Sequence, residues 1–160
     1  MKTYHSTTIA DYILDKFREK GEALTPLKLI KLVYLCHGWT LALCGRPLLD
    51  EPVEAWKYGP VIRELYRKVR DYGSSPVTNK LSQSDSVQVI ENEDKGLIDQ
   101  VIDRYGEFSA ITLSNMTHAQ DTPWSITWNN ETGGAVISND LIEHHFKELY
   151  DKYSSQEMPA

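Results

Sequence analysis

Between Thr25-Pro26 and Gly45 the chain carries an apolar run that would encircle a helix axis instead of striping one side of it. Leu27, Leu29, Ile30, Leu32, Val33, Leu35, Leu41, Ala42 and Leu43, with Tyr34 and Trp39, leave no polar face. A helix of that kind sits at the centre of a domain, with other elements packed around it. Its ends are well marked. Thr25 is a good N-cap, Pro26 suits the first helical position, and Gly45 suits the position after the last turn. Gly38 in mid-helix costs about 1 kcal/mol against alanine and is read as a place where another backbone comes close. The apolar stretch from Leu29 to Leu43 is interrupted by Lys31 and His37. It reads as too short and too interrupted to span a membrane, and the start of the chain lacks the apolar core of a signal peptide. A cytoplasmic protein with no membrane partner is expected.

The rest of the sequence supplies what packs around this centre. At 160 residues the chain is the size of one domain. A first helix is expected from about Thr8 to Lys20, capped by Ser6, Thr7 or Thr8 and stopped at Gly21. Arg46 to Tyr58 is broken by Pro47 and Pro52, and Leu48-Leu49 with Val53–Trp56 could pair as short strands. Gly59-Pro60 then opens a third helix over about Val61 to Tyr72. Residues 74–86 are polar and turn-rich and read as a mobile surface loop. Further helices are expected at 94–105, at Ser109 to His118, and from Ser138 or Asn139 to about Tyr153, with residues 154–160 frayed. The fold class is mainly α: a single compact domain of about six helices around the buried helix 27–44, with a small hairpin-like β element near 48–58.

Charge narrows the partners. The net charge is -6, from 17 Lys+Arg against 23 Asp+Glu, which disfavours a generic nucleic-acid binder. Residues 1–80 balance to +4 and residues 81–160 to -10. The two halves either neutralise each other or mark a partner surface. Cys36 and Cys44 lie eight residues apart in one helix, hence about 12 Å apart, too far for a disulfide.

Motifs of catalysis are missing. There is no phosphate-binding glycine loop, no His-Glu-x-x-His, no Cys-x-x-Cys and no Gly-x-Ser-x-Gly, so the sequence asks for no cofactor and no metal. His144-His145 are adjacent and face apart. His37 reads as a hydrogen-bonded core histidine. Asp50, Glu51 and Glu54 could do acid–base work, or cap a turn and pair with Arg46 or Lys57. His118 could cap its helix with Asp121 orienting it while Trp124 closes the corner, or His118 and Asp121 could form a general-base pair. Arg63 and Arg67 share one face of the third helix, either as a solvated face or as a docking face for an acidic partner.

One resemblance covers almost the whole chain. Lys28-Leu29-Ile30-Lys31-Leu32-Val33-Tyr34, Gly38-Trp39-Thr40-Leu41-Ala42, Gly45-Arg46-Pro47-Leu48, Glu51, Glu54-Ala55-Trp56-Lys57-Tyr58-Gly59-Pro60-Val61, Tyr66 and Tyr72-Gly73 are followed by His118 and Pro123-Trp124. This pattern resembles the Panacea domain family, the phage-associated GepA-like proteins. Trp39, Glu54, Gly59, Pro60, His118 and Trp124 are read as its structural signature. The resemblance implies a helical fold with a small β element. It also implies the antitoxin half of a toxin–antitoxin pair, found in phages and mobile elements, which neutralises a toxin by direct binding. Some relatives carry an added DNA-binding domain, for which these 160 residues leave no room. No catalytic residue carries over.

Three functional readings follow. The first is an antitoxin that binds its toxin through Trp56, Tyr58, Arg63 and Arg67, aromatic and arginine side chains of the kind that anchor interfaces. The second is a phage accessory protein that binds a host factor, or an adaptor that delivers a toxin to a protease. The third is an enzyme using His118, Asp121 and the Asp50-Glu51-Glu54 cluster.

Overall fold

In the computed structural model, residues 2–82 and 88–157 are described. The chain folds into α1 (Ser6–Glu19), α2 (Pro26–Cys44), β1 (Val53–Trp56), β2 (Gly59–Val61), α3 (Arg63–Val69) with a 3₁₀ turn over Arg70–Tyr72, α4 (Asn92–Tyr105), α5 (Ala110–Thr117), α6 (Pro123–Thr127), β3 (Ala135–Ile137) and α7 (Asn139–Glu157). The fold is mainly α with a small antiparallel sheet of order β2-β1-β3.

α2 is the centre, as its sequence demands. Its residues are buried from Leu29 through Leu41, and α1, α3, α4, α5, α7 and β2 all pack on it. By length and composition α2 would in fact be apolar enough to cross a bilayer, which corrects the expectation that it is too short. What its burial shows is a helix enclosed by protein. Pro26 opens it and Gly45 closes it in the left-handed region at φ 68°, although the Thr25 side chain makes no capping bond. The room at Gly38 is taken by a side chain and not by a backbone. An alanine Cβ there would lie 2.2 Å from the Phe146 ring of α7. Phe146 also meets Tyr34 and Trp39 edge-on, at 5.8 and 5.3 Å between ring centres.

Two expectations about the β element are corrected. Leu48-Leu49 is not a strand partner of Val53–Trp56. Leu49 makes an isolated parallel bridge with Tyr4, and β1 pairs instead with β2, in the register Glu54↔Val61, Ala55↔Pro60, Trp56↔Gly59. Gly59-Pro60 therefore lies in a strand, and the third helix begins at Arg63. Proline is tolerated there because β2 is an edge strand, where a missing N–H breaks no ladder. β3 and the five-residue α6 were not expected. α6 is held by a capping box in which Thr122 and Ser125 exchange side-chain and backbone hydrogen bonds.

The N-terminus of α1 is also capped differently. No local side chain caps it. The Glu51 carboxylate reaches over to accept from the Ser6 amide, and from Ser6 Oγ at 3.1 Å. A carboxylate suits the positive end of a helix. Ser109 caps α5 as expected, accepting from the Thr112 amide at 3.1 Å. Within the loop expected at 74–86, the described part is irregular and fastened down. Val77 and Leu81 are buried, and Asp11 accepts from the amides of Leu81 and Ser82 at 2.7 and 2.9 Å. Residues 83–86 lie outside the described residues. α7 continues past the expected end at Tyr153 to Glu157, and residues 158–160 lie outside the described ones.

Candidate partner-binding surface

The β1–β2 hairpin gathers most of the residues singled out above. Glu54 is buried on β1 and takes both arms of the Arg63 guanidinium, Nε at 3.1 Å and Nη2 at 2.8 Å. Trp56 Nε1 donates to the same carboxylate at 3.1 Å. The Arg63 contact holds the Glu54 carboxyl below the usual carboxylate range, with a smaller contribution from Trp56. A forked ion pair of this kind fixes geometry as well as charge. It sets the start of α3 against the hairpin. The Trp56 ring then meets Tyr66 of α3 edge-on at 4.9 Å.

Two further helices are tied to the hairpin turn. Ser114 Oγ of α5 donates to the Tyr58 carbonyl at 3.0 Å, and Trp124 Nε1 of α6 donates to the Trp56 carbonyl at 2.5 Å. His118 closes α5. Its ring contacts Ser114 Oγ at 3.4 Å and the Trp124 ring at 5.4 Å. Trp124 in turn stacks on Trp128, with 14° between the planes. Trp124 thus closes the corner as expected, but Asp121 makes no hydrogen bond to His118. It stands exposed on its own turn at φ 63°.

The candidate residues divide. Trp56 and Arg63 meet on the Glu54 carboxylate, and Tyr58, on the hairpin turn, is 65% exposed. Arg67 is exposed on α3 and pairs with Glu64 at 2.9 Å. Trp39 belongs to the core, donating to Tyr105 Oη at 3.1 Å. His37 is a core histidine between Asn139 and the Leu49 amide, as its position suggested. The acidic cluster divides in two: Asp50 and Glu51 stay beside His5, their ligand atoms within 4.8 Å of one another, while Glu54 turns to the hairpin. Asp50 pairs with His5 at 2.8 Å, Glu51 caps α1, and Glu54 takes Arg63. Neither Arg46 nor Lys57 is their partner. Asp50 and Glu51 line one pocket, and neither Glu54 nor His118 is among its lining residues.

One residue escaped the site reading. Lys31 of α2 is only 1% exposed and lies directly under the hairpin. Its ammonium donates to the Pro60 carbonyl at 2.9 Å, and no carboxylate among the described residues stands within ion-pair distance of it. Burial pushes its pKa down to about 7. Gly59, at φ 119°, passes so close that a Cβ there would come within 2.9 Å of Lys31 Nζ. That explains the glycine on two counts, the left-handed backbone and the lack of room. A charge amid the buried apolar residues of α2 was the visible sign.

These features fit one protein class. The chain matches the family described as "Antitoxin SocA-like, Panacea domain" over residues 29–125, more than half its length, and it belongs to that family. Among characterised relatives, Antitoxin SocA of Caulobacter vibrioides (strain NA1000 / CB15N) is 32% identical over 151 residues, covering 87% of this chain and 80% of that protein. No solved structure matches the chain.

Proposed function

We propose that this protein is an antitoxin that neutralises a co-encoded toxin by direct binding, in a phage or mobile-element setting, and that the hairpin surface makes the contact. Membership of the antitoxin family along most of the chain carries the reading. The surface chemistry supports it. Tyr58 on the hairpin turn, Ile111 on α5 and Ile126 on α6 are exposed, and both helices are hydrogen-bonded to that turn. Contiguous exposed apolar patches mark interaction surfaces. Arg63 and Arg67 add the flanking charge expected of an interface rim.

Co-expression with the product of the neighbouring gene tests this. Growth should be rescued and a complex should co-purify. Tyr58→Ala should weaken the complex by about 2 kcal/mol without loss of fold, as truncation of an aromatic anchor does. Added salt should weaken it further if the arginines take part. Absence of both complex and rescue would overturn the proposal.

A further inference from the structure

Beneath the hairpin runs a groove of 450 Å³, lined by apolar and aromatic side chains, among them Ile30, Trp56 and Tyr66. Three charged residues line it, Lys31, Lys57 and Arg70, and none is acidic. That is notable in a chain with a net charge of -6. The rim cations have weak partners of their own. Lys57 lies over the Tyr58 ring at 5.5 Å, and Arg70 meets Asp71 at 4.0 Å with both side chains exposed. Lys31 is the least satisfied. An ammonium has three donors, and the structure gives Lys31 one acceptor, a carbonyl. Its four-carbon stem lets the head move within the groove.

We propose that this groove seats an acidic segment of the partner protein, one carboxylate pairing with Lys31 while flanking apolar side chains lie against Ile30, Trp56 and Tyr66. The proposal rests on the antitoxin reading for the identity of the partner, but the groove can be tested without it. Charge complementarity is the argument for the occupant. An apolar pocket with a buried, incompletely bonded cation and only cations at its rim favours an anion with an apolar body. Lys31 is also poised to respond. Near neutral pH it titrates, and a carboxylate beside it would favour the charged form. The other ionisable groups around it are Lys57 and Tyr58 on the hairpin, Tyr66 and Arg70 on the α3 side, and His118 of α5 next to Gly59. Binding should therefore weaken as the pH rises through and above about 7.

The probes are two capped tripeptides, acetyl-Leu-Glu-Leu-amide and its Gln counterpart, followed by the Trp56 indole resonance in NMR titrations. The Glu peptide should give a saturable shift, with the Gln peptide at least about tenfold weaker. Lys31→Met should bind the Glu peptide no better than the Gln one. Arg70→Glu, on the exposed rim, should also weaken the Glu peptide while leaving the fold untouched. Equal binding of the two peptides, no saturable shift, or indifference to both substitutions would overturn the proposal. So would benzoate saturating the groove while the Glu peptide does not, since that marks a small-carboxylate site. The same variants are then assayed for co-purification with the neighbouring gene product. If the wild-type protein captures nothing, the antitoxin reading fails while the peptide result still decides the groove. If wild type and Lys31→Met capture the partner equally, the groove proposal fails while the antitoxin reading stands.

Discussion

Two cations, one within the central helix of this fold and one just past its end, are treated in opposite ways. Arg46, just past the end of α2, pairs with Asp94 of α4 at 2.5 Å, and Asp94 is 2% exposed. The other Asp94 oxygen accepts from Tyr4 Oη at 2.8 Å, and Tyr4 Oη accepts from the Glu91 amide at 3.1 Å. Even with Arg46 Nη1 lacking an acceptor, the charge is neutralised. Lys31, in the second turn of α2, is more deeply buried than Arg46 and has only a carbonyl. The first arrangement is a staple. It joins the N-terminal segment, the turn after α2 and the first turn of α4. The second is an opening left beneath the hairpin. The contrast also resolves the charge asymmetry between the halves. Contacts across the halves, Arg46 with Asp94 and Lys16 with Asp99 at 3.9 Å, use part of the acidic excess internally. The arginines of α3 pair with Glu54 and Glu64 within their own half, at the surface.

The staple is the place to expect the largest effect. Asp94→Leu strands a buried guanidinium and the Tyr4 hydroxyl, and should cost about 3–5 kcal/mol in urea unfolding. A loss below about 1 kcal/mol would mean that the two cations do not differ as described. Next in size is Gly38→Ala, which forces a methyl group into the Phe146 ring and should cost about 1–3 kcal/mol, or more if α7 cannot shift. A neutral result would remove α7 from the wall of the core.

Lys31→Met should move stability the other way, by about 1–3 kcal/mol at pH 6, because it removes a desolvated charge and keeps the packing volume. The sign with pH follows from the depressed pKa. Between about 7 and the ordinary lysine value near 10.5, the unfolded chain holds a proton that the folded chain does not. Wild-type stability should therefore rise relative to the variant over that window. Paired unfolding curves at about pH 6 and pH 9.5 measure this, and a constant difference would contradict it. The smallest effect is expected at Arg67→Ala. Its exposed pair with Glu64 contributes at most about 0.5 kcal/mol to folding. Its effect on the complex should be the larger one, seen as a flatter salt dependence.

Much of this was legible in the sequence, for local reasons. Pro26, Gly45 and an apolar run without a polar face define α2 and its central place. Ser109, Gly106 and Gly21 mark helix ends through backbone chemistry that needs no tertiary context. The β element was placed but wrongly paired. Leu48-Leu49 looks like a strand because it is apolar, yet it is buried beside Tyr4 by a bridge to the N-terminal segment. Gly59-Pro60 looks like a helix opening, and only edge position makes it a strand. β3 is three residues long after two turn glycines, too short to carry a period of its own. The capping and pairing reading of the acidic cluster was within reach, but its partners were not, because Glu51 finds its use 45 residues away at Ser6. Lys31 was visible as a charge amid apolar neighbours. Its lack of a counter-ion was not, since that depends on which carboxylates the fold brings near.

The most direct test is the titration of the Lys31 ammonium by NMR, in the free protein and in the complex with the neighbouring gene product. The account predicts a pKa near 7 in the free protein and a clear upward shift in the complex, as a carboxylate enters the groove. A free value near the ordinary lysine pKa of about 10.4, or a value unmoved by the partner, would contradict it.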